Sequence, residues 1–112
     1  MTWFPFDDGK SIGEIGSECG VIIRDEEHVD GARITIERDG EVAPFSITCG
    51  IYGWMVHTRF FKTEAEAQSE FEAMRSELAR IIGTIPLASD PKADGQFGAV
   101  SGSISAFTER FP

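Results

Sequence analysis

The chain has 112 residues, 41% of them hydrophobic, 26% charged and 11% aromatic, and carries a net charge of −9. That composition suits one domain with its own core, is too apolar for a disordered chain, and lacks the ~20-residue apolar run of a membrane span. Nineteen acids face ten bases, and no Lys/Arg cluster exists, so nucleic-acid backbones and anionic membranes are not expected partners.

A single α+β domain over residues 1–112 is expected, with an aromatic N-terminal segment (1–11) and a C-terminal extension (84–112). No basic stretch leads into an apolar segment at the start, so no secretory signal is expected and the expected location is cytoplasmic. Charge is uneven along the chain. Met1 to Glu41 holds eleven acids and four bases, whereas Val42 to Lys62 holds no acid and two bases, Arg59 and Lys62. An acid-free window in an acidic chain is the signature of buried strands. It is also a less negative patch that could take an anionic ligand.

The first eleven residues carry Trp3, Phe4 and Phe6 around Pro5, then a polar turn. Gly9-Lys10-Ser11 lacks the preceding glycine of a phosphate-binding loop, because that position is Phe4. Gly13-Glu-Ile-Gly16 precedes a strand instead of following one, which excludes a dinucleotide loop. No cofactor is therefore expected. Cys19 to Ile23 reads as a β-run, and Arg24 to Asp30 as a polar connection. Asp25-Glu26-Glu27-His28 cannot converge on a metal from an extended chain, where neighbours point to opposite faces, so no metal site is expected.

Ala32, Ile34 and Ile36 alternate with Arg33, Thr35 and Glu37, a half-buried strand. Asp39-Gly40 marks a hairpin turn, and Phe45, Ile47 and Cys49 alternate with Ser46 and Thr48 on the return. Pro44 belongs at the start of that strand, since it cannot donate to a ladder. Gly50 to Gly53 is the next turn. Trp54 to Phe61 forms a fourth strand, with Trp54, Val56, Thr58 and Phe60 assigned to the core face. Cys19 and Cys49 then fall on strands that are not neighbours, so two reduced, partly buried thiols are expected.

A helix is predicted over about Glu64 to Ile82. Thr63 and Glu66 form a capping box, and Ala67, Phe71, Met74, Leu78 and Ile81 make one apolar stripe. Gly83 ends it, with Pro86 just beyond. In the extension, Phe97, Val100, Ile104, Phe107 and Phe111 fit a helix after Asp94. Val100, Gly102, Ile104 and Ala106 alternate, which leaves a strand open, but the helix is preferred.

These elements predict a four-stranded antiparallel meander packed on one long α-helix. Its second face would display Arg33, Thr35, Glu37, Ser46, Thr48, Met55, His57, Arg59 and Phe61. The candidate ligand-binding residues are His57, Arg59, Ser46, Thr48, Arg33 and Glu37. Arg supplies a fixed cationic fork and His a proton carrier, the chemistry of carboxylate or phosphate recognition. No catalytic constellation emerges. The aromatic terminal segments would close the rim of the core, cover part of the second face or dock on a partner subunit. The favoured expectation is a small acidic, non-catalytic protein-interaction module, homodimeric, within which an inhibitor of a basic partner fits the charge. The alternative is a binder of a small anionic molecule, or an enzyme, using the face around His57 and Arg59.

Overall fold

The computed structural model describes residues 2–85 and 93–112, with the backbone alone over 93–97. Five strands form one antiparallel meander: β1 (Trp3–Pro5), β2 (Val21–His28), β3 (Ala32–Arg38), β4 (Phe45–Ile51) and β5 (Met55–Phe61). Helix α1 (Glu64–Ile82) packs across β3, β4 and β5, and α2 (Ala93–Arg110) packs on α1. The α+β class and the antiparallel sheet match the sequence reading. The strand count does not, because Trp3–Pro5 pairs with Glu26–His28 and adds an edge strand.

Helix α1 has the predicted limits. The Thr63 hydroxyl accepts the Glu66 N–H at 3.2 Å, and the Gly83 N–H bonds back to Ala79. Its stripe of Ala67, Phe71, Met74, Leu78 and Ile81 is fully buried. The preferred helix in the extension is present as α2, with Val100, Phe107 and Phe111 buried against the core. Pro86 and the Phe97 side chain lie outside the described residues.

Two sequence assignments are corrected. Arg24 to His28 is strand, not loop. Its alternation is polar on both phases because each phase finds charged partners. Arg24 bonds Glu26, Gln68 and Glu72, and Arg75 of α1 bonds Glu26, which ties β2 to the helix. Cys19 consequently sits before β2, exposed, while Cys49 is buried in β4; both are free thiols.

The second correction concerns β5. Ile51 pairs with Met55, Cys49 with His57, Ile47 with Arg59 and Phe45 with Phe61, so these eight residues share the helix-covered face. Val56 and Phe60, assigned to the core from sequence, are exposed on the other face. The cause is turn length. A turn at Gly50–Gly53 would pair Cys49 with Trp54, whereas the connection is Tyr52–Trp54, closed by the Trp54 N–H on Ile51 O at 2.9 Å. The partner of Cys49 is thus His57 and not Trp54, a shift of three residues, and any odd shift in register moves every side chain of a strand to the opposite face.

Candidate functional site

Helices cover one face of the sheet. The opposite face is partly covered by the chain between β1 and β2. The Phe6–Gly9 turn lies at the β2 side, with the Phe6 ring 3.5 Å beneath the Arg33 guanidinium. Arg33 grips Asp25 with two hydrogen bonds, 3.0 and 2.7 Å, and the Thr35 hydroxyl adds a third at 3.0 Å. Asp25 is fully buried at its side chain. The hydrogen bonds that Arg33 donates to Asp25, and the charge of that carboxylate, hold the Arg33 pKa above its ordinary value, against the desolvation that burial imposes.

The segment from Gly13 to Val21 folds back as a short hairpin over the far end of the same face. It is anchored by Glu37, whose buried carboxylate accepts the backbone N–H groups of Glu18 (3.1 Å) and Gly20 (3.0 Å). Close approach explains the glycines there. A Cβ on Gly16 would meet the Glu37 carboxylate at 2.4 Å, and one on Gly20 would meet the Arg38 carbonyl at 2.7 Å.

Between this hairpin and the β4–β5 turn lies a groove of about 690 Å³. Thr35, Glu37 and Thr48 line its floor, Ile22 and Gly16 one wall, and Tyr52, Trp54 and Val56 the other. Gly50, the penultimate residue of β4, lies on this face, opposite Arg33 on one side and Val56 on the other. Its missing side chain keeps the floor low, a role that glycine inside a strand often has. Tyr52 donates to Glu27 at 2.6 Å, and its burial together with that bond pushes its pKa up to about 12. From Thr48 at the groove floor the same face continues over Ser46, Thr58 and Phe60, with the Thr48 and Thr58 hydroxyls 3.2 Å apart.

The six sequence candidates are thus divided by the sheet. Arg33, Glu37, Ser46 and Thr48 share the open face, with Ser46 buried between Glu37 and Phe60 in the ladder. His57 and Arg59 lie on the helix side and bind the chain's own C-terminal residues. His57 Nε2 contacts the Phe111 carbonyl oxygen, and Arg59 bonds Pro112 O at 3.2 Å and Glu70 at 3.0 Å. Cys49 neighbours His57 in the ladder, but burial pushes its thiol up to about 12, which keeps it from acting as a thiolate nucleophile. Among the described residues, no group of three or more His, Cys, Asp or Glu could hold a metal ion. No helix of the described residues is long and apolar enough to cross a membrane.

Sequence reasoning missed the groove walls. From sequence, Gly50 and Tyr52 read together as a turn and Ile22 as part of a β-run, which says nothing of a groove between them. The one usable signal was a glycine directly after an alternating run, at Gly50. Comparison with protein-family models, curated proteins and solved structures gives no match.

Proposed function

We propose that the chain is an acidic, non-catalytic protein-interaction module that receives a basic, partly apolar segment of a partner protein on its open sheet face. The observation that carries this reading is an apolar surface left uncovered beside unpaired acids. Val56 is 80% exposed, Tyr52 52% and Phe60 45%. Exposed apolar side chains gathered on one face mark interaction sites more often than scattered ones do. Glu18 follows the groove-lining Gly16 and Ser17 and is joined to Glu41 by the Glu41 N–H on Glu18 O, and Asp7, Asp8, Glu14, Glu18 and Glu41 take part in no ion pair among the described residues. Opposite potentials speed encounter and select partners.

Selection from a displayed random-peptide library tests it. Peptides with Lys or Arg flanking an aliphatic or aromatic residue should be enriched, and should lose binding to a Phe60→Ser variant and at high salt. Enrichment of acidic peptides, or binding indifferent to Phe60, would contradict the proposal.

The volume of the groove favours a second reading, since small-molecule sites span roughly 300–1,000 Å³. Its one lining cation, Arg33, is already held by Asp25. An anionic ligand would therefore compete with a buried carboxylate. A ligand whose binding is abolished by Gly50→Val but unaffected by salt would favour this reading over protein docking.

A further inference from the structure

Strand β5 is the last strand of the meander, and among the described residues nothing pairs with its outer edge. Such an edge offers a row of unpaired backbone N–H and C=O groups, and natural proteins usually protect it with charge, proline or a bulge. None of these is present on the open-face side of β5, which shows Val56, Thr58 and Phe60 in succession. We propose that this edge pairs antiparallel with β5 of a second copy of the chain, across a two-fold axis at Thr58, so that the two sheets become one.

Three features single out a second copy as the occupant. The first is self-complementarity. Thr58 is the middle residue of Met55–Phe61, so a two-fold axis there pairs the whole strand. On the open face, Val56 then lies opposite Phe60 of the second copy, Phe60 opposite its Val56, and Thr58 opposite its Thr58. Apolar residues meet apolar ones in both directions, as a two-fold interface requires.

The second is charge. Two copies of a −9 chain repel one another, and they can approach closely only where acids are few. The stretch Val42 to Lys62 contains no acid. Arg59, the one fixed charge on β5, is already paired with Glu70. The third is what flanks the edge on the helix side. Phe107 and Phe111 of the α2 end pack against His57 and Arg59 there, and α2 carries no charged side chain from Gly98 to Thr108. The open-face side of β5 therefore carries no acid of its own, and on the helix side Glu70 is neutralised by Arg59, with Glu66 the remaining acid beside it.

This inference rests on the backbone edge of β5, whereas the docking proposal rests on the open face; Val56 and Phe60 belong to both, so the register at residue 58, which docking does not involve, is what separates the two. Sedimentation equilibrium of the full chain provides the first test. A dimer is expected at micromolar concentration, weakened at least about tenfold by Val56→Lys, whose charge sits on the edge without disturbing the core. Circular dichroism and urea unfolding should show that variant folded.

Register is tested by cysteine cross-linking in a Cys19→Ser background. Copies of residue 58 would face one another at about 4.5–5.5 Å between Cα atoms, within disulfide range. Copies of residue 56 would be about 13 Å apart along the strands. Thr58→Cys should therefore cross-link on mild oxidation and Val56→Cys should not. A strictly monomeric protein at 100-fold higher concentration, a dimer indifferent to Val56→Lys, or equal cross-linking at both positions would overturn the proposal. In each of those cases the peptide selection would still decide the docking proposal on its own.

Discussion

The two faces of the sheet are built by opposite rules. On the helix side, arginines and acids are linked into a network that spans the sheet and the helix. Arg24, Glu26, Arg75 and Glu72 close a ring between β2 and α1, and Arg24 lies 3.9 Å above the buried Phe71 ring. Beneath this network the core is made of Ile34, Ile36, Ile47, Phe71, Met74 and Leu78, all completely buried. On the open side, polar side chains bond inward, Asp25 to Arg33 and Glu37 to backbone, while the remaining acids and several apolar groups are left outward. Stability is concentrated on the first face, and the capacity to recognise something is left on the second.

Paired substitutions test that contrast most strongly. Phe71→Ala empties a completely buried site and should cost about 3–5 kcal/mol by urea unfolding. Phe60→Ser on the open face, 45% exposed and measured at concentrations too low for β5 pairing, should cost less than about 1.5 kcal/mol, well under half the loss at Phe71. A comparable loss at both positions would mean that the open face is packed, not presented.

A smaller effect should locate the one place where the open side does contribute to the fold. Glu37→Ala removes the acceptor of the Glu18 and Gly20 N–H groups and should cost about 1.5–3 kcal/mol, the usual worth of hydrogen bonds to a charged group. Hydrogen exchange should show those two amides losing protection while the amides of α1 keep theirs. Gly16→Ala should reproduce part of this loss, because its Cβ would displace the same carboxylate.

How far these faces could be foreseen depended on the kind of signal. Helix α1 was legible to the residue because Thr63, the apolar stripe and Gly83 are local and agree with one another. The alternation of β3 was equally clear. Strand β5 was not, since Trp54, Val56 and Phe60 on one phase and Met55 and Phe61 on the other are both apolar enough to be core. Only the three-residue turn decides between them, and turn length is what sequence fixes least. Arg24 to His28 failed for a related reason: its partners, Arg33 at one face and Gln68, Glu72 and Arg75 at the other, are 8 to 49 positions away in sequence. The groove depends on that same register, and so it was visible only once the strands were paired.

Titration gives a third comparison, between a buried group on the helix side and a rim group on the open side. Both Cys49 and Tyr52 are pushed up to about 12, Cys49 by burial and Tyr52 by burial and its bond to Glu27. In each case folding favours the neutral, protonated form. The associated stability is present below the unfolded pKa (about 8.5 for Cys, 10 for Tyr) and is lost as pH rises towards 12. With a thiol reagent, the native protein should therefore react rapidly at Cys19 alone and at Cys49 only on unfolding. The tyrosinate absorbance should appear near pH 12 in the wild type and lower in Glu27→Gln, yet still above the ordinary tyrosine value, because the desolvation that is the largest cause of the shift remains.

The smallest effect concerns the helix-side ring itself. Arg24 and Arg75 hold the Glu72 carboxyl below its ordinary value, the hydrogen bond from Arg24 being the largest cause. Glu72 is half exposed at its side chain, so solvent screens the interaction and Glu72→Gln should cost less than about 1 kcal/mol. The sign is fixed by linkage. A carboxylate with a depressed folded pKa contributes stability above its unfolded value, and that contribution disappears as pH falls through the folded one. Wild type and Glu72→Gln should therefore differ at pH 7 in low salt, converge below about pH 4, where unfolded glutamates protonate, and converge again in 1 M salt. Neutralising Glu14 or Glu41 on the open side should leave stability at pH 7 nearly unchanged yet weaken binding of a basic peptide. If Glu72→Gln instead behaved like Glu14→Gln in both assays, the division of labour between the faces would be lost, because charge on the two sides would then serve the same purpose.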